Sequence, residues 1–381
     1  GKTTAKEMLA AALSSRAPTF KSVGNQNSGV MIPLNVLRVR PWSRYAVIEV
    51  GVGRPGAMLR AARLLKPNVA VILRVARTHT KGFKNLEECA AEKAVLLEWL
   101  APGGVAVLNG DDPRVAAMRV PAHARRWLFG SSDAFDVRIS QAECRWPDRL
   151  RFRVSSGAET CVVQTRQLGR HWVSSLAAAL AAARSLGVSL RDAAGPLSRV
   201  PPYPARMEPV ALPGGAVVIR DDYNGAIDTL EAALRFLSEA RATRRVLVIS
   251  DVTDSGQNRR VRLDSLAAAV APWLDLLVLI GADHRYECRR LARSGMAPER
   301  IVGCQDLHEA VAYLRAQLKA GDLALVKGRV SHHLARILFA LTGTIACWKV
   351  PCPKTMLCDG CWELGFRPQG EFEIASLGRR A

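Results

Sequence analysis

Along the first half of the chain, apolar positions gather into short, nearly unbroken runs. The stretches between them show helical spacing. Residues 45–51 (YAVIEVG), 69–73 and 105–109 are three such runs. Runs of this length without a polar face predict strands buried on both sides, as in a parallel sheet covered by helices. Residues 3–15 and 86–100 predict covering helices. Residues 126–166 break into shorter alternating segments, such as 150–154 and 160–165, which predict an antiparallel extension of the sheet. Residues 177–186 are rich in Ala, the strongest helix former, and predict another helix.

The segment Val200–Pro201–Pro202–Tyr203–Pro204 interrupts this rhythm and predicts a domain boundary. Beyond it the alternation resumes. Residues 217–219, 246–249, 276–280 and 323–326 predict strands of a second doubly wound α/β domain, with helices between them. The pattern stops near Gly343. The expected organisation is one α/β domain over residues 1–199, a second over 200–343, and a Cys-rich tail over 344–381.

The 381 residues suffice for two cores of ordinary size, and 49% hydrophobic with 23% charged residues fits a globular enzyme. No run of about 18 apolar residues predicts a membrane span. The net charge of +20 would point to a polyanion if it were clustered. The basic residues are instead spread along the chain. They comprise 43 Arg against 11 Lys, with no Lys between Lys93 and Lys319. That describes a bias toward Arg, and nucleic acid is not an expected partner. Nine Cys without a secretory segment predict a reduced, cytoplasmic setting. The chain opens inside a motif rather than on Met, so it is expected to lack its natural N-terminus.

That motif is Gly1–Lys2–Thr3–Thr4, the end of a phosphate-binding loop G-x-x-x-x-G-K-[ST]. Backbone N–H groups at the following helix start would face phosphate oxygens, Lys2 would neutralise them, and the Thr3 hydroxyl would reach Mg²⁺. Glu49 lies at the carboxyl end of a buried strand, where α/β sheets place ligands. A charge among apolar neighbours needs a partner, and a cation would supply one. His79 follows the next strand and is a candidate for the same metal. Lys93 stands out against the Arg background. In the tail, Cys347, Cys352, Cys358 and Cys361 follow the spacing C-x4-C-x5-C-x2-C, which suits a structural zinc ion, with a redox pair or free thiols as alternatives.

The ordered set of segments resembles the Mur ligase family. The set begins with GKTT, Gly24–Asn25–Gln26–Asn27 with Ile32–Pro33–Leu34, and Val47–Ile48–Glu49–Val50–Gly51. It continues through Pro67–Asn68–Val69–Ala70–Val71–Ile72, His79, Lys93 and Leu108–Asn109–Gly110–Asp111–Asp112. In the second half, Ala205–Arg206–Met207–Glu208 is similar to the family's G-R-M-E. Asp221–Asp222–Tyr223–Asn224 is similar to its D-x-Y-N, and Gly321–Asp322 with Leu325–Val326–Lys327–Gly328 to its G-D-x-x-L-V-K-G. The most similar branch is the one that joins D-alanyl-D-alanine to a UDP-muramoyl-tripeptide in peptidoglycan precursor synthesis.

The resemblance implies a P-loop-type central parallel-sheet domain followed by a Rossmann-like C-terminal domain. It implies ATP and Mg²⁺ as cofactors and small-molecule substrates, a carboxylate acceptor and an amino acid or dipeptide. The carboxylate would become an acyl phosphate that the incoming amine converts to an amide. By the same resemblance, Gly1, Lys2, Thr3 and Thr4 hold phosphates, and Thr3, Glu49 and His79 hold Mg²⁺. Lys93 matches a lysine carbamoylated in many members. Asn109, Arg206, Asp221 and Asn224 approach the nucleotide, while Asn25, Asn27 and Lys327 approach the other substrates.

Four segments depart from the family pattern. Leu73–Arg74–Val75–Ala76 stands for T-N-I-G, and His171–Trp172–Val173–Ser174–Ser175 for H-N-V-x-N. Lys327–Gly328–Arg329 stands for K-G-S-R, and residues 249–256 for L-G-D-M-x-E-L-G. The departures fall on the base and amine positions rather than on the phosphate and metal positions. Rival readings are a related ligase of folylpolyglutamate or specialised-metabolite type, a non-catalytic homologue acting through its tail, and a nucleic-acid NTPase resting on charge alone.

Overall fold

The computed structural model describes residues 1–76, 82–250, 258–354 and 356–369. Two units emerge. The first comprises Gly1–Cys144, Arg149–Arg166 and Arg170–Val200, and the second Arg145–Asp148, Gln167–Gly169 and the chain from Pro201 onward. Among the described residues no helix is long and apolar enough to cross a membrane.

The first unit opens on helix α1 (Lys2–Ser14), strand β1 (Thr19–Lys21), helix α2 (Met31–Leu37) and strand β2 (Tyr45–Val47). β1 and β2 pair in parallel. The run at 45–51 therefore stays in strand only to Val47. Beyond it, Glu49 N–H donates to Ser22 Oγ at 3.0 Å and Gly51 N–H to the Asn27 carbonyl at 2.6 Å. A loop takes over the backbone partners that a neighbouring strand would have supplied.

Next come α3 (Ala57–Leu65), β3 (Val69–Ile72), α4 (Leu86–Glu98), β4 (Val105–Asn109), α5 (Pro113–Ala116) and β5 (Arg125–Gly130). With β6 (Val137–Glu143), β7 (Arg151–Ser156) and β8 (Glu159–Gln164) the sheet order is β3-β4-β5-β6-β7-β8. β3 to β6 run parallel, and β7 and β8 join antiparallel. The expected antiparallel extension is present, although β5 at its start is parallel. Helices α6 (Val173–Ser185) and α7 (Leu190–Leu197) close the unit.

Ala70, Ile72, Ala106 and Leu108 share a core with Met58 and Ala62 of α3 and Leu96 and Leu97 of α4. α6 packs on β4, β5 and β6 and on α1. Its residues from Ser175 to Ala183 are buried throughout, which only a run of small side chains permits at such close approach. α4 starts on a reciprocal cap: the Asn85 side chain accepts from Glu88 N–H, and the Glu88 carboxylate accepts from Lys84 N–H.

The second unit contains β9 (Glu208–Ala211), β10 (Val217–Asp221), α8 (Ile227–Ser238), β11 (Arg244–Ile249), α9 (Arg259–Val270) and β12 (Leu276–Ile280). It continues through α10 (His284–Arg293), β13 (Ile301–Cys304), α11 (Leu307–Gln317), β14 (Asp322–Lys327) and α12 (Ala335–Thr342). The order is β13-β12-β11-β14-β10-β9, parallel except for β9. β12 and β14 are buried at every residue, as a central strand covered on both faces must be. After α12 the tail forms a small antiparallel pair, β15 (Gly343–Thr344) with β16 (Arg367–Pro368). Its Cys358, Leu364, Ile345, Trp348 and Phe366 join the core of this unit.

One buried cation ties the tail down. Arg220 of β10 is 1% exposed. Its guanidinium grips both oxygens of Asp359 at 2.6 and 2.9 Å, reaches Glu208 Oε2 at 3.1 Å, and lies 3.4 Å from Asp222 Oδ1. The planar fork suits this bidentate geometry. Burial pushes the carboxyls of Glu208 and Asp222 up, against the pull of Arg220. Removing the guanidinium would leave three carboxylates facing one another without water. Arg220→Met is expected to cost about 3–5 kcal/mol in urea denaturation. A loss under about 1 kcal/mol would show that the cluster does not hold the tail.

Candidate functional site

In the first unit, polar groups gather where the central strands end and helix α1 begins. Gly1 caps α1, so Lys2 and Thr3 stand at the first turn, where backbone N–H groups lack intrahelical acceptors. Thr3 and Thr4 are buried. A side chain at Gly1 would put its Cβ 2.5 Å from Ser175 Oγ of α6, so only glycine lets α6 approach this turn. Asn109 ends β4. Its amide donates to the Leu73 carbonyl at 2.8 Å and to Ser174 Oγ at 3.4 Å, and its Oδ1 accepts from Asp111 N–H. It thereby holds the exit of β3 beside the start of α6.

The residues after β3 are held from two more sides. Lys93 Nζ donates to the Arg74 carbonyl at 2.6 Å, and Asp112 Oδ2 accepts from Val75 N–H at 2.7 Å. Burial holds the Lys93 ammonium below the ordinary lysine range. Lys2 and Arg74 add repulsion, while Cys89 and Asp112 oppose it. His79, the expected metal ligand further along, lies outside the described residues, as do residues 251–256 of the divergent acidic segment.

Glu49 is 5% exposed. Its Oε1 accepts from Asn27 Nδ2 at 2.6 Å. Its Oε2 is buried with no hydrogen-bond partner among the described residues. A buried carboxylate oxygen without a donor is costly, and a divalent cation is the kind of group that would satisfy it. An open carboxylate oxygen such as Glu49 Oε2 is the kind of donor that magnesium takes.

In the second unit, Asp221 and Lys327 end the adjacent strands β10 and β14 in register. Lys327 is 1% exposed. Its ammonium meets Asp221 Oδ2 at 2.8 Å, Thr229 Oγ1 at 3.1 Å, and the Asn224 carbonyl. Its three protons are spent on the loop after β10. Asp221 Oδ1 also accepts from Met207 N–H at 3.3 Å. Arg206 sits between Ala205 and Met207, both left-handed at φ 59° and 50°, a conformation that L side chains adopt at a cost of about 1–3 kcal/mol each. Its guanidinium lies over the Tyr223 ring at 4.4 Å.

The tail cysteines behave differently from expectation. Among the described residues, no three His, Cys, Asp or Glu side chains come together so as to hold a metal, so the four-cysteine zinc site is not formed. Cys358 instead packs into the core, 3.3 Å from His333 Nδ1, and burial pushes its thiol up to about 11. Cys361 lies 3.6 Å from Lys354 Nζ. A thiol kept protonated by burial is a poor metal ligand.

Sequence reasoning missed Lys6, Ser22 and Asn35, which hold the loop beneath Glu49. The signal available was Lys6, one helical turn after Lys2 in a chain that otherwise prefers Arg.

The Mur ligase middle domain matches residues 1–183, and the Mur ligase glutamate ligase domain matches residues 205–330. The UDP-N-acetylmuramoyl-tripeptide–D-alanyl-D-alanine ligase of Mycobacterium tuberculosis is 28% identical over 370 residues, covering 92% of this chain and 72% of that one. The enzyme of the same name from Escherichia coli is 28% identical over 283 residues, covering 74% and 62%. Among solved structures, a MurF from Acinetobacter baumannii superposes with a TM-score of 0.81 at 25% identity, covering 90% of this chain and 74% of that one. A Thermotoga maritima MurF in complex with ADP shares the fold, with a TM-score of 0.74 at 22% identity over 89% and 76%.

The lowered Lys93 ammonium is directly measurable. After reductive ¹³C-methylation, the Lys93 resonance is expected to titrate at lower pH than the same methylated lysine in a short unstructured peptide. A Lys93 midpoint equal to or above that of the peptide would contradict the burial described.

Proposed function

The chain belongs to the Mur ligase family, and from that premise we propose that it joins D-alanyl-D-alanine to the carboxylate of a UDP-N-acetylmuramoyl-tripeptide with cleavage of ATP to ADP. The substrate carboxylate attacks the γ-phosphorus of ATP, giving an acyl phosphate and ADP. The dipeptide's neutral amine then attacks the acyl carbon, and the C–O bond to phosphate breaks. The products are the amide, inorganic phosphate and a proton.

The observation that carries this reading is the buried, unpartnered Glu49 Oε2 in the unit whose α1 starts with Lys2 and Thr3. Charge accumulates on phosphoryl oxygens during the first step, so fixed donors and cations aimed there account for most of the catalysis. Lys2 and the N–H groups of the first turn bind the terminal phosphates. Thr3, Glu49 and His79 hold magnesium, which when bound neutralises the phosphate oxygens. By its match to the lysine carbamoylated in many family members, Lys93 would carry a carbamate able to hold a second cation. Asn109 braces the edge of the nucleotide site. Arg206, Asp221 and Asn224 take the nucleotide side of the second unit, with Lys327 bracing their loop from beneath. Asn25 stays assigned to the tripeptide substrate. The setting is the cytoplasm, where nine unpaired thiols persist.

Phosphate release is the test. It is expected to require ATP, the UDP-muramoyl-tripeptide and D-alanyl-D-alanine together, and to fall by about 100-fold or more in Lys2→Ala and in Glu49→Gln. Release that ignores the tripeptide but vanishes in both variants would move the activity to another carboxylate. Release unaffected by either variant would refute the assignment of the site.

A further inference from the structure

The carboxylate of Glu49 does not aim itself, and the groups that aim it run from helix α1 through the loop after β1. Lys6 is 4% exposed, one turn after Lys2. Its Nζ donates to the carbonyls of Ser22 at 2.8 Å and Gly24 at 2.5 Å. Glu7 Oε1 lies 3.1 Å from it and Glu7 Oε2 2.5 Å from Lys21. Burial alone would raise the Glu7 carboxyl, but the two lysines outweigh it and keep it low. Asn35 is fully buried and holds the same loop from its other side, accepting from Val23 N–H at 2.9 Å and donating to the carbonyls of Met31 at 2.7 Å and Gln26 at 3.2 Å.

This loop delivers two groups to Glu49. Ser22 Oγ accepts the Glu49 backbone N–H, and Asn27 Nδ2 donates to Oε1. Gly51 makes room for the second contact. A Cβ at position 51 would stand 2.5 Å from Asn27 Oδ1. An amide N–H₂ group can only donate, so Asn27 engages Oε1 as a donor, while Oε2 has no hydrogen-bond partner among the described residues.

We propose that Asn27 is a positioning residue for the metal-binding carboxylate of Glu49, held by Lys6 and Asn35 and admitted by Gly51. This rests on the reading of Glu49 as a magnesium ligand. Asn27, first assigned to substrate, thereby acts through Glu49. It restricts the carboxylate to one oxygen and one direction before the cation arrives. Outer partners of this kind orient metal ligands, and their loss costs about 10–100-fold in metal affinity.

The experiment is a Mn²⁺ titration of the full chain with ADP, with free Mn²⁺ read by electron paramagnetic resonance. The variants are Asn27→Ala, Asn27→Asp, Gly51→Ala and Glu49→Gln, each checked for its thermal midpoint. Asn27→Ala is expected to weaken Mn²⁺ binding about 10–100-fold. Gly51→Ala should weaken it likewise, although it alters neither polar group. Asn27→Asp keeps the shape but sets carboxylate against carboxylate, so it also covers the case in which the alanine variant does not fold. Mn²⁺ binding lost in Glu49→Gln but unchanged in the folded Asn27 and Gly51 variants would overturn the positioning role alone. Binding unchanged in Glu49→Gln would overturn the metal assignment and the positioning role with it.

Discussion

Parallel strands covered on both faces have no room for polar side chains along their length. β4, β12 and β14 are buried at every residue. Such strands can carry chemistry only where they stop, and both units obey that constraint. In the first, Asn109 ends β4, Leu73 to Val75 leave β3, and Glu49 follows β2 by two residues. In the second, Asp221 and Lys327 end neighbouring strands. The same constraint explains why these side chains bond one another's backbones. Each loop leaving a strand end carries carbonyls and N–H groups that have lost their ladder partners, and buried groups of that kind must be satisfied.

The two basic residue types divide this work by geometry. Arginines meet carboxylates fork to fork: Arg220 with Asp359, Arg244 with Asp322, Arg290 with Asp264. The buried or half-buried lysines do something else. Lys6, Lys93 and Lys327 all donate to main-chain carbonyls of loops. An ammonium carries three donors around one point on a flexible stem, and it can cap converging carbonyls where a planar guanidinium would not fit. An ammonium also loses its proton more readily when buried, as the lowered Lys93 shows. These three lysines thus stand at positions that suit a point charge.

The alternation of apolar runs and helical spacing was sufficient for the α/β character of both units. Strand 276–280 has the boundaries expected of it, because an apolar run between loops has one way to be buried. The GKTT segment marked the start of α1, where Lys2 and Thr3 stand, and the acid in YAVIEVG marked the buried Glu49. Short elements such as β1, β9, α2 and α3 left no signal of their own, since three to nine residues carry too few positions for a period to show. The tail misled for a related reason. Cysteine spacing records what could meet a metal, whereas packing sent Cys358 into the core beside His333 and put Asp359, not a thiol, at the centre of the contact with Arg220.

The amino-acid sequence by itself therefore determined the layered fold and the family, because those depend on periodicity and on local motifs. Only the tertiary structure decided how those residues are used. Asn27 and Glu49 are 22 positions apart and Lys327 and Asn224 are 103 apart, and nothing local to either member reveals the other. Which oxygen of Glu49 is left open, which lysine is depressed and which is spent on a loop are settled by burial and by hydrogen bonds between distant segments. Those terms exist only once the chain has closed on itself.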